Sequence, residues 1–276
     1  MSKQEISPCC LTIAGSDSGG NAGVQADLRA FHAYGLHGCT VFAALTAQNP
    51  FGVSAIHSVP ADFVAAQLDA VLGVYDIRAL KTGMLADPAV IETVADRLSA
   101  HPEIAKVIDP VMVATSGARL IPEDAVRMLE ERLMPMATLI TPNLPEAEAL
   151  CGNAVEPNAS REGDARHAAE LARRLADRFG CAVLVKGGHG SGSRAVDVLC
   201  AAGELAEFPL PWVENPVSTH GTGCSLAAAL AAELARGHDV RTSVEGAKRY
   251  VHAAISGSYY VGKGCGVLGF VTCEGK

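Results

Sequence analysis

Short apolar runs alternate with amphipathic segments along almost the whole chain, and this alternation limits the fold more than any other feature. Most of the runs are too uniformly apolar for strands with one wet face, whereas strands buried on both faces of a parallel sheet read this way. The strand candidates are Cys9–Ala14, Cys39–Thr46, Ile77–Lys81, Lys106–Asp109, Thr138–Thr141, Cys181–Lys186 and Ala195–Cys200, with Glu204–Leu210 as the return arm of a hairpin.

The segments between these runs carry the periodicity of helices. Val24, Leu28 and Phe31 form one apolar stripe, and helices are also predicted over about Thr222–Arg236 and Ser243–Ser258. The most loop-like stretch, Asn153–Glu162, is too short to separate two domains. The sequence therefore predicts a single α/β domain over residues 1–276, a three-layer α/β/α sandwich around a mostly parallel sheet.

Composition excludes several functional classes. The net charge of −8 argues against nonspecific nucleic-acid binding and against an anionic membrane surface. The longest apolar stretch, Leu226–Ala232, is too short to span a bilayer, and Met1–Pro8 does not read as a secretory signal. Nine cysteines without a C-x-x-C pair indicate a reduced, cytoplasmic protein without a disulfide framework.

Loops at the ends of the predicted strands carry most of the glycines and polar residues that could bind a ligand or take part in catalysis. In open parallel sheets, ligands bind at the carboxyl ends of strands, so these loops are expected to converge on one edge. The loops are Gly15–Gly23, Ala47–Pro50, Lys81–Met84, Asp109–Met112, Thr141–Glu146, Lys186–His189 and the turn Gly221–Cys224.

The turn Gly221–Cys224 leads directly into a helix rich in alanine and leucine. Two glycines at a helix start allow close approach of a ligand, and the free N–H groups there form an anion site. Cys224 lies in the same first turn, where the local field should favour its thiolate. An anion site beside a possible base suits phosphoryl transfer; the alternative is a glycine-rich turn with a buried cysteine.

Three charged residues at strand ends suit the binding of a metal and of phosphate. Asp109 and Glu146 supply the carboxylates that Mg²⁺ prefers, with Asn143 nearby, and Lys186 could neutralise a transferring phosphoryl group. Each has a structural alternative: a strand–Pro turn cap for Asp109, a helix N-terminus for Glu146, and a solvated side chain for Lys186.

Asp27 lies at the edge of the apolar stripe of its predicted helix, where a carboxylate needs a partner. A polar heterocycle would satisfy it, and so would a structural arginine or a backbone donor. The preceding loop, Gly15–Gly23, matches neither the dinucleotide fingerprint nor the Walker loop.

Seven ordered motifs resemble the hydroxymethylpyrimidine/phosphomethylpyrimidine kinases of thiamine biosynthesis, which belong to the ribokinase-like superfamily. The resemblance runs from about residue 10 to about 258. The motifs are Ile13–Asp17 with Gly23–Asp27, Thr46–Asn49, Lys81–Leu85, Asp109–Met112, Ile140–Glu146, Lys186–His189 and Thr219–Cys224.

The resemblance implies an ATP-dependent kinase that phosphorylates 4-amino-5-hydroxymethyl-2-methylpyrimidine and then its monophosphate, acting as a homodimer. It places Gly15, Asp27, Gln48 and Val111 in the pyrimidine pocket. It assigns Mg²⁺ to Asp109 and Glu146, and the nucleotide phosphates to Asn143, Lys186, Gly188, Gly221 and Gly223. Gly221, Thr222 and Gly223 are implied as the anion hole, with Lys186 beside the transferring group and Cys224 as the catalytic base.

The chain departs from the family at two places. Asn21 stands where relatives commonly have glycine, and Gly264–Gly266 is not followed by the family's Pro-Val-x-His. The nearest alternative is a pyridoxal kinase, but Gln48 and Lys186 favour the pyrimidine. A catalytically idle nucleotide-binding protein would be expected to lose the anion-hole glycines or Cys224, and a Rossmann oxidoreductase lacks its fingerprint here.

Overall fold

The computed structural model describes residues 7–112, 122–152, 165–187 and 194–273, and within them nine strands form one sheet. In chain order the strands are β1 (Cys9–Asp17), β2 (His37–Asn49), β3 (Gly52–Ser58), β4 (Ile77–Thr82), β5 (Ala105–Ile108), β6 (Leu139–Ile140), β7 (Ala182–Val185), β8 (Arg194–Ala201) and β9 (Glu204–Pro211). Across the sheet their order is β3-β2-β1-β4-β5-β6-β7-β8-β9. The strands from β2 to β7 in this order are parallel, and β3 and β8 run antiparallel to them.

Helices follow most of the strands. They are α1 (Gly23–Ala33), α2 (Ala61–Leu72), α3 (Pro88–Ser99), α4 (Glu123–Met128), α5 (Leu144–Leu150), α6 (Ala165–Phe179), α7 (Thr222–Ala235) and α8 (Val240–Ser256). Helix α4 continues as a π-helical segment and a short 3-10 turn up to Met136. A small antiparallel ribbon, β10 (Tyr259–Val261) and β11 (Cys265–Val267), follows α8.

Two hydrophobic cores lie on opposite faces of the sheet. Successive strand residues point to opposite faces, so Leu11 packs with the layer formed by α2 to α6, whereas Cys10 packs with α1, α7 and α8. Residues 226–232 of α7 are buried, because their alanines allow this helix to pack closely against the sheet and its neighbours. The predicted α/β/α sandwich is confirmed.

The predicted strands and helices are confirmed, with differences at their ends. Helix α8 begins three residues earlier than expected because the Asp239 carboxylate caps it, accepting from the N–H of Thr242 at 2.7 Å. The strands β3, β10 and β11 were not predicted, and the loop Asn153–Glu162 lies outside the described residues. Among the described helices, none combines the length and apolar character that crossing a membrane requires.

Candidate active site

Loops from the carboxyl ends of the parallel strands meet the start of α7 at one edge of the sheet. The loop after β1 contacts Gly221, Lys186 after β7 contacts Asp109 after β5, and Gln48 of β2 approaches His220. The predicted convergence is therefore confirmed for the part of the chain that the structure describes.

The Asp17 carboxylate organises the loop after β1. One oxygen accepts from the N–H of Gly19 at 2.8 Å, and the other accepts from Asn21 and Ala22 at 2.9 and 2.8 Å. The Asn21 carbonyl then packs against Gly221, where a Cβ would lie only 1.9 Å from its oxygen. Because Gly221 also has a φ of +86°, this position favours glycine on both counts.

The first turn of α7 presents free N–H groups. Gly221 is the left-handed N-cap, and the Thr222 N–H donates to the Thr219 carbonyl at 3.3 Å. The N–H groups of Gly223 and Cys224 have no hydrogen-bond acceptor among the described residues. A Cβ at Gly223 would lie 3.7 Å from Lys186 Nζ, so a cation stands beside these donors. The arrangement can bind an anion.

Cys224 is partly exposed at this turn, and the backbone of Gly23 lies beside its sulfur. Burial raises the pKa of the Cys224 thiol above its ordinary value; the charge of Lys81 opposes this, whereas Asp27 and Asp109 add to it. The prediction that the local field favours the thiolate is therefore wrong, because desolvation by burial outweighs the charge of Lys81.

Lys186 points into the same site rather than into solvent. Its Nζ lies 2.9 Å from Asp109 Oδ1, which also accepts from the Thr141 hydroxyl at 3.0 Å. Burial lowers the pKa of Lys186, but Asp109 and Glu146 outweigh it, so the pKa is raised and the ammonium stays charged. The alternative of a solvated lysine is excluded.

Glu146 forms a capping box at the start of α5. Its carboxylate accepts from the Asn143 N–H at 2.8 Å, and its own N–H donates to Asn143 Oδ1 at 2.9 Å. The other oxygen faces the Met112 N–H at 3.4 Å. Burial raises the pKa of Glu146 to about 7, with Lys186 opposing and Asp109 adding to the shift. Glu146 therefore caps helix α5, which is the structural alternative given for it above. This capping does not exclude a second role at the proposed metal site.

The two carboxylates fit a cation that keeps part of its own hydration. Among the described residues, no three His, Cys, Asp or Glu side chains are grouped so that they could hold a metal alone. Asp109 and Glu146 carry one more negative charge than Lys186 neutralises when Glu146 is ionised. Oxygen donors of this kind and number match Mg²⁺, which takes its remaining ligands from water and substrate phosphates.

Asp27 is wholly buried and already paired. Lys81 Nζ lies 3.0 and 3.1 Å from its two oxygens, and the Thr12 hydroxyl donates to it at 2.6 Å. The sequence anticipated a structural arginine or a backbone donor as the alternative to substrate, and the partners are instead a lysine and a hydroxyl. Lys81 stands in a predicted strand-end loop, but its pairing with Asp27 was not predicted, and contact between Asp27 and a substrate stays a prediction.

Gln48 lies at the end of β2 with its side-chain amide between Thr46 and His220. The Thr46 hydroxyl donates to the Ser16 carbonyl at 2.8 Å and lies 3.2 Å from Gln48 Oε1, and Gln48 Nε2 lies 3.5 Å from His220 Nε2. The Gln48 backbone is tied to the Ser18 hydroxyl at 2.8 Å. His220 also lies 3.9 Å from Asp17 Oδ2 and was not predicted as a site residue, although it stands inside the Thr219–Cys224 motif.

Of the remaining predicted residues, two lie in the part of the chain that the structure describes and one does not. Gly15 is buried, and a Cβ there would lie 2.9 Å from the terminal methyl of Met84, so the two residues share one wall. Val111 is partly exposed directly after Asp109, whose carbonyl accepts its N–H at 2.8 Å. Gly188 lies outside the described residues.

Comparison of the whole fold identifies its class first. The structure superposes on the pyridoxal kinase of Bacillus subtilis, solved as an ADP complex, with a TM-score of 0.84 and 31% identity over 97% of this chain and 98% of that one. The fold is ribokinase-like. The family model described as phosphomethylpyrimidine kinase matches residues 17–269, and the chain belongs to this family of kinases.

Curated relatives are more similar in sequence. The hydroxymethylpyrimidine/phosphomethylpyrimidine kinase of Rhizobium meliloti is 46% identical over 89% of this chain and 90% of its own length. The thiamine biosynthesis bifunctional protein of Geobacter sulfurreducens is also 46% identical, over 95% of this chain. The chain spans about half (52%) of the length of that bifunctional relative.

Proposed function

We propose that the chain transfers a phosphoryl group from ATP to 4-amino-5-hydroxymethyl-2-methylpyrimidine and then to its monophosphate. The observation that carries this is the anion site at the start of α7, where the N–H groups of Gly223 and Cys224 find no acceptor within the described ranges and lie near Lys186 Nζ. Phosphoryl transfer depends mainly on positioning and charge stabilisation, which this site supplies. The names of the 46%-identical relatives support the choice of substrate.

The pyrimidine is proposed to lie against Gly15, Gln48 and Val111, close to Asp27. The partly buried Gln48 amide carries two N–H donors and an acceptor oxygen, which suit recognition of the amino-substituted ring. A side chain at Gly15 would collide with Met84, so this wall of the proposed pocket favours glycine.

ATP is supported by the kinase family and by the ADP complex of the structural relative. Its phosphates are assigned to Asn143, Lys186, Gly188, Gly221 and Gly223, with Thr222 completing the anion hole. Mg²⁺ would be held by Asp109 and Glu146 and would supply neutralisation of phosphate charge. Lys186 keeps its ammonium protonated beside Asp109 and adds to that neutralisation.

Cys224 is proposed as the base that accepts the proton of the hydroxymethyl group. Its raised pKa makes the thiolate the minor form at neutral pH but a stronger base once formed. The second phosphorylation attacks with a phosphate oxygen that is already anionic, so it depends less on this residue.

A homodimer in the cytoplasm is the proposed setting for this single domain. Exposed apolar side chains on and beside β2 and β3 support an association surface; these are Leu45, Phe51, Val53 and Ile56. The nine cysteines all lie in described ranges and are free thiols, which supports a reducing compartment. Sedimentation of the wild type and of Phe51→Lys tests the dimer, because the variant should dissociate; a monomeric wild type would contradict it.

Parallel incubations test the proposed reaction. The protein is mixed with ATP and Mg²⁺ and offered the pyrimidine alcohol, its monophosphate or pyridoxal, and products and ADP are followed by mass. Conversion of both pyrimidines with one ADP per phosphoryl group supports the proposal. Pyridoxal is the second candidate because of the similarity to the Bacillus subtilis enzyme, and its preferential conversion would overturn the first.

A further inference from the structure

A second buried ion pair stands behind the proposed phosphate site, away from the residues discussed above. Asp197 of β8 and Lys248 of α8 are each less than 10% exposed, and Lys248 Nζ lies 3.0 Å from Asp197 Oδ2. The other carboxylate oxygen, Oδ1, accepts from the N–H of Gly187 at 2.8 Å. Gly187 directly follows Lys186, so the carboxylate reaches the backbone at the point where the chain leaves the site.

The position of the Lys248 ammonium beside Asp197 is fixed by further contacts. The ammonium pairs with the carboxylate and donates hydrogen bonds to the carbonyls of Phe208 at 2.5 Å and Ala195 at 3.3 Å. Three oxygens thus lie within 3.3 Å of the ammonium nitrogen. One helix side chain therefore fixes Asp197 relative to both outer strands, β8 and β9.

The backbone around Lys186 is fixed on both sides. Before the side chain, the Lys186 N–H donates to the Pro142 carbonyl at 2.9 Å. After it, Gly187 lies so close to β8 that a Cβ would stand 1.7 Å from the Val196 carbonyl oxygen. The hydrogen bond from Gly187 to Asp197 holds this close approach, and it thereby sets where Lys186 leaves the sheet toward Asp109 and Gly223.

We propose that Asp197 is a positioning residue for Lys186, acting through the Gly187 N–H, and that Lys248 holds Asp197 in place. The inference rests on the proposed role of Lys186 at the transferring phosphoryl group. Replacing a buried ion pair by apolar residues is often neutral for stability, so a contribution to fold stability alone does not explain this pair. Small displacements of a catalytic group, in contrast, cost large factors in rate.

Steady-state kinetics of Asp197→Ala and Asp197→Asn test this inference. The alanine variant lacks the acceptor for Gly187 and should lower kcat about ten- to a hundredfold, with the KM of the pyrimidine within about twofold. The asparagine variant keeps an acceptor oxygen and should retain most of kcat. If the alanine variant does not fold, the double variant Asp197→Leu/Lys248→Met removes the same acceptor and replaces the pair by apolar side chains.

Lys106→Met is the matched control. Lys106 is another buried lysine that donates to two backbone carbonyls, those of His101 and Ile104, but it lies at the opposite end of its strand. This variant should lower the unfolding temperature without lowering kcat. A folded Asp197→Ala enzyme with wild-type kcat, or equal losses in the alanine and asparagine variants, would overturn the inference.

A double-mutant cycle with Lys186→Ala separates this inference from the proposed function. Asp197→Ala should cost little further kcat once Lys186 is absent, because coupled residues are not additive. If Lys186→Ala leaves kcat unchanged, the role proposed for Lys186 fails. If Lys186→Ala lowers kcat and Asp197→Ala lowers it by the same factor in both backgrounds, only the positioning role fails.

Discussion

Lys81 Nζ lies 3.0 and 3.1 Å from the two carboxylate oxygens of Asp27, and neither side chain has any exposed surface. Burial lowers the pKa of Lys81, but Asp27 and nearby acidic groups raise it by more. The net pKa is above the ordinary value, and the lysine stays charged. The pair thus places an ammonium and a carboxylate beneath Cys224. Both charges act on its pKa, in opposite directions.

Removing only one partner of this pair should destabilise the protein strongly. Lys81→Met leaves a buried carboxylate without its cation, and we expect a loss of about 3–5 kcal/mol in the free energy of unfolding measured in urea. The double variant Lys81→Met/Asp27→Leu should recover part of that loss. As a control, Arg97→Met breaks the exposed pair with Asp69 and should cost under about 1 kcal/mol; a similar small cost for Lys81→Met would contradict this reasoning.

Cys224→Ala should lower kcat on the pyrimidine alcohol by about a hundredfold or more, because the proposed base is lost. The loss on the monophosphate should be smaller, and the Kd of ADP should not change. Cys181→Ala, which removes a thiol before the start of β7, is the control. Near-normal turnover of the alcohol by Cys224→Ala would remove Cys224 as the base.

The raised pKa of Cys224 adds a pH dependence to the same reaction. Since the thiol ionises above its ordinary range, the active thiolate grows with pH, and kcat on the alcohol should rise through the alkaline range. This rise should be absent in Cys224→Ala. A wild-type kcat that is flat with pH would show that thiol ionisation does not limit the reaction.

Gln48→Met should weaken binding of the pyrimidine. Loss of the amide removes at least one hydrogen bond to the ring, and an increase in KM of about tenfold is expected, which corresponds to about 1.4 kcal/mol. Gln67→Met is the matched control because Gln67 bonds the backbone of Phe42 on the outer part of the sheet. An unchanged KM for Gln48→Met would take Gln48 out of the pocket.

Asp109→Ala should raise the Mg²⁺ concentration needed for half-maximal activity by about tenfold or more, because one of two carboxylates at the proposed metal site is lost. As a control, Asp87→Ala removes the carboxylate that caps helix α3, and this variant should leave the Mg²⁺ titration unchanged. An unaltered titration in Asp109→Ala would indicate a purely structural role for Asp109.

Glu146 should make stability depend on pH when no Mg²⁺ is present. Its pKa is about 7 in the folded protein against an ordinary value of 4.5, so the folded state binds the proton more tightly. The resulting stabilisation is fully present below pH 4.5 and is lost as pH rises through 7. Unfolding in urea from pH 5 to 8 should therefore show a decline that Glu146→Gln reduces; equal slopes would contradict the raised pKa.

The sequence predicts the sheet well because buried parallel strands are uniformly apolar, as in Val183–Val185. Strand β3 escaped prediction because all its residues are exposed, so burial leaves no pattern in it. The glycines and carboxylates that follow strands could be predicted as site residues, because ligands bind at the carboxyl ends of parallel strands. Partners distant in sequence could not: Lys81 lies 54 residues from Asp27, and Lys248 lies 51 from Asp197.

The error on Cys224 has a related cause. A helix N-terminus is visible in the sequence, and it favours a thiolate. Desolvation depends on how deeply the fold buries the sulfur, and this burial is produced by segments that are distant in the sequence. The capping role of Glu146, in contrast, is local, and a helix N-terminus was its structural alternative in the sequence analysis.

A competition assay tests the central claim most directly. Equal concentrations of hydroxymethylpyrimidine and pyridoxal are mixed with limiting ATP and Mg²⁺, and the ratio of the two phosphorylated products gives the ratio of their kcat/KM values. We predict at least about tenfold more pyrimidine product, the factor expected for one hydrogen bond from Gln48. Equal products, or an excess of pyridoxal phosphate, would contradict the assignment of this site to the pyrimidine.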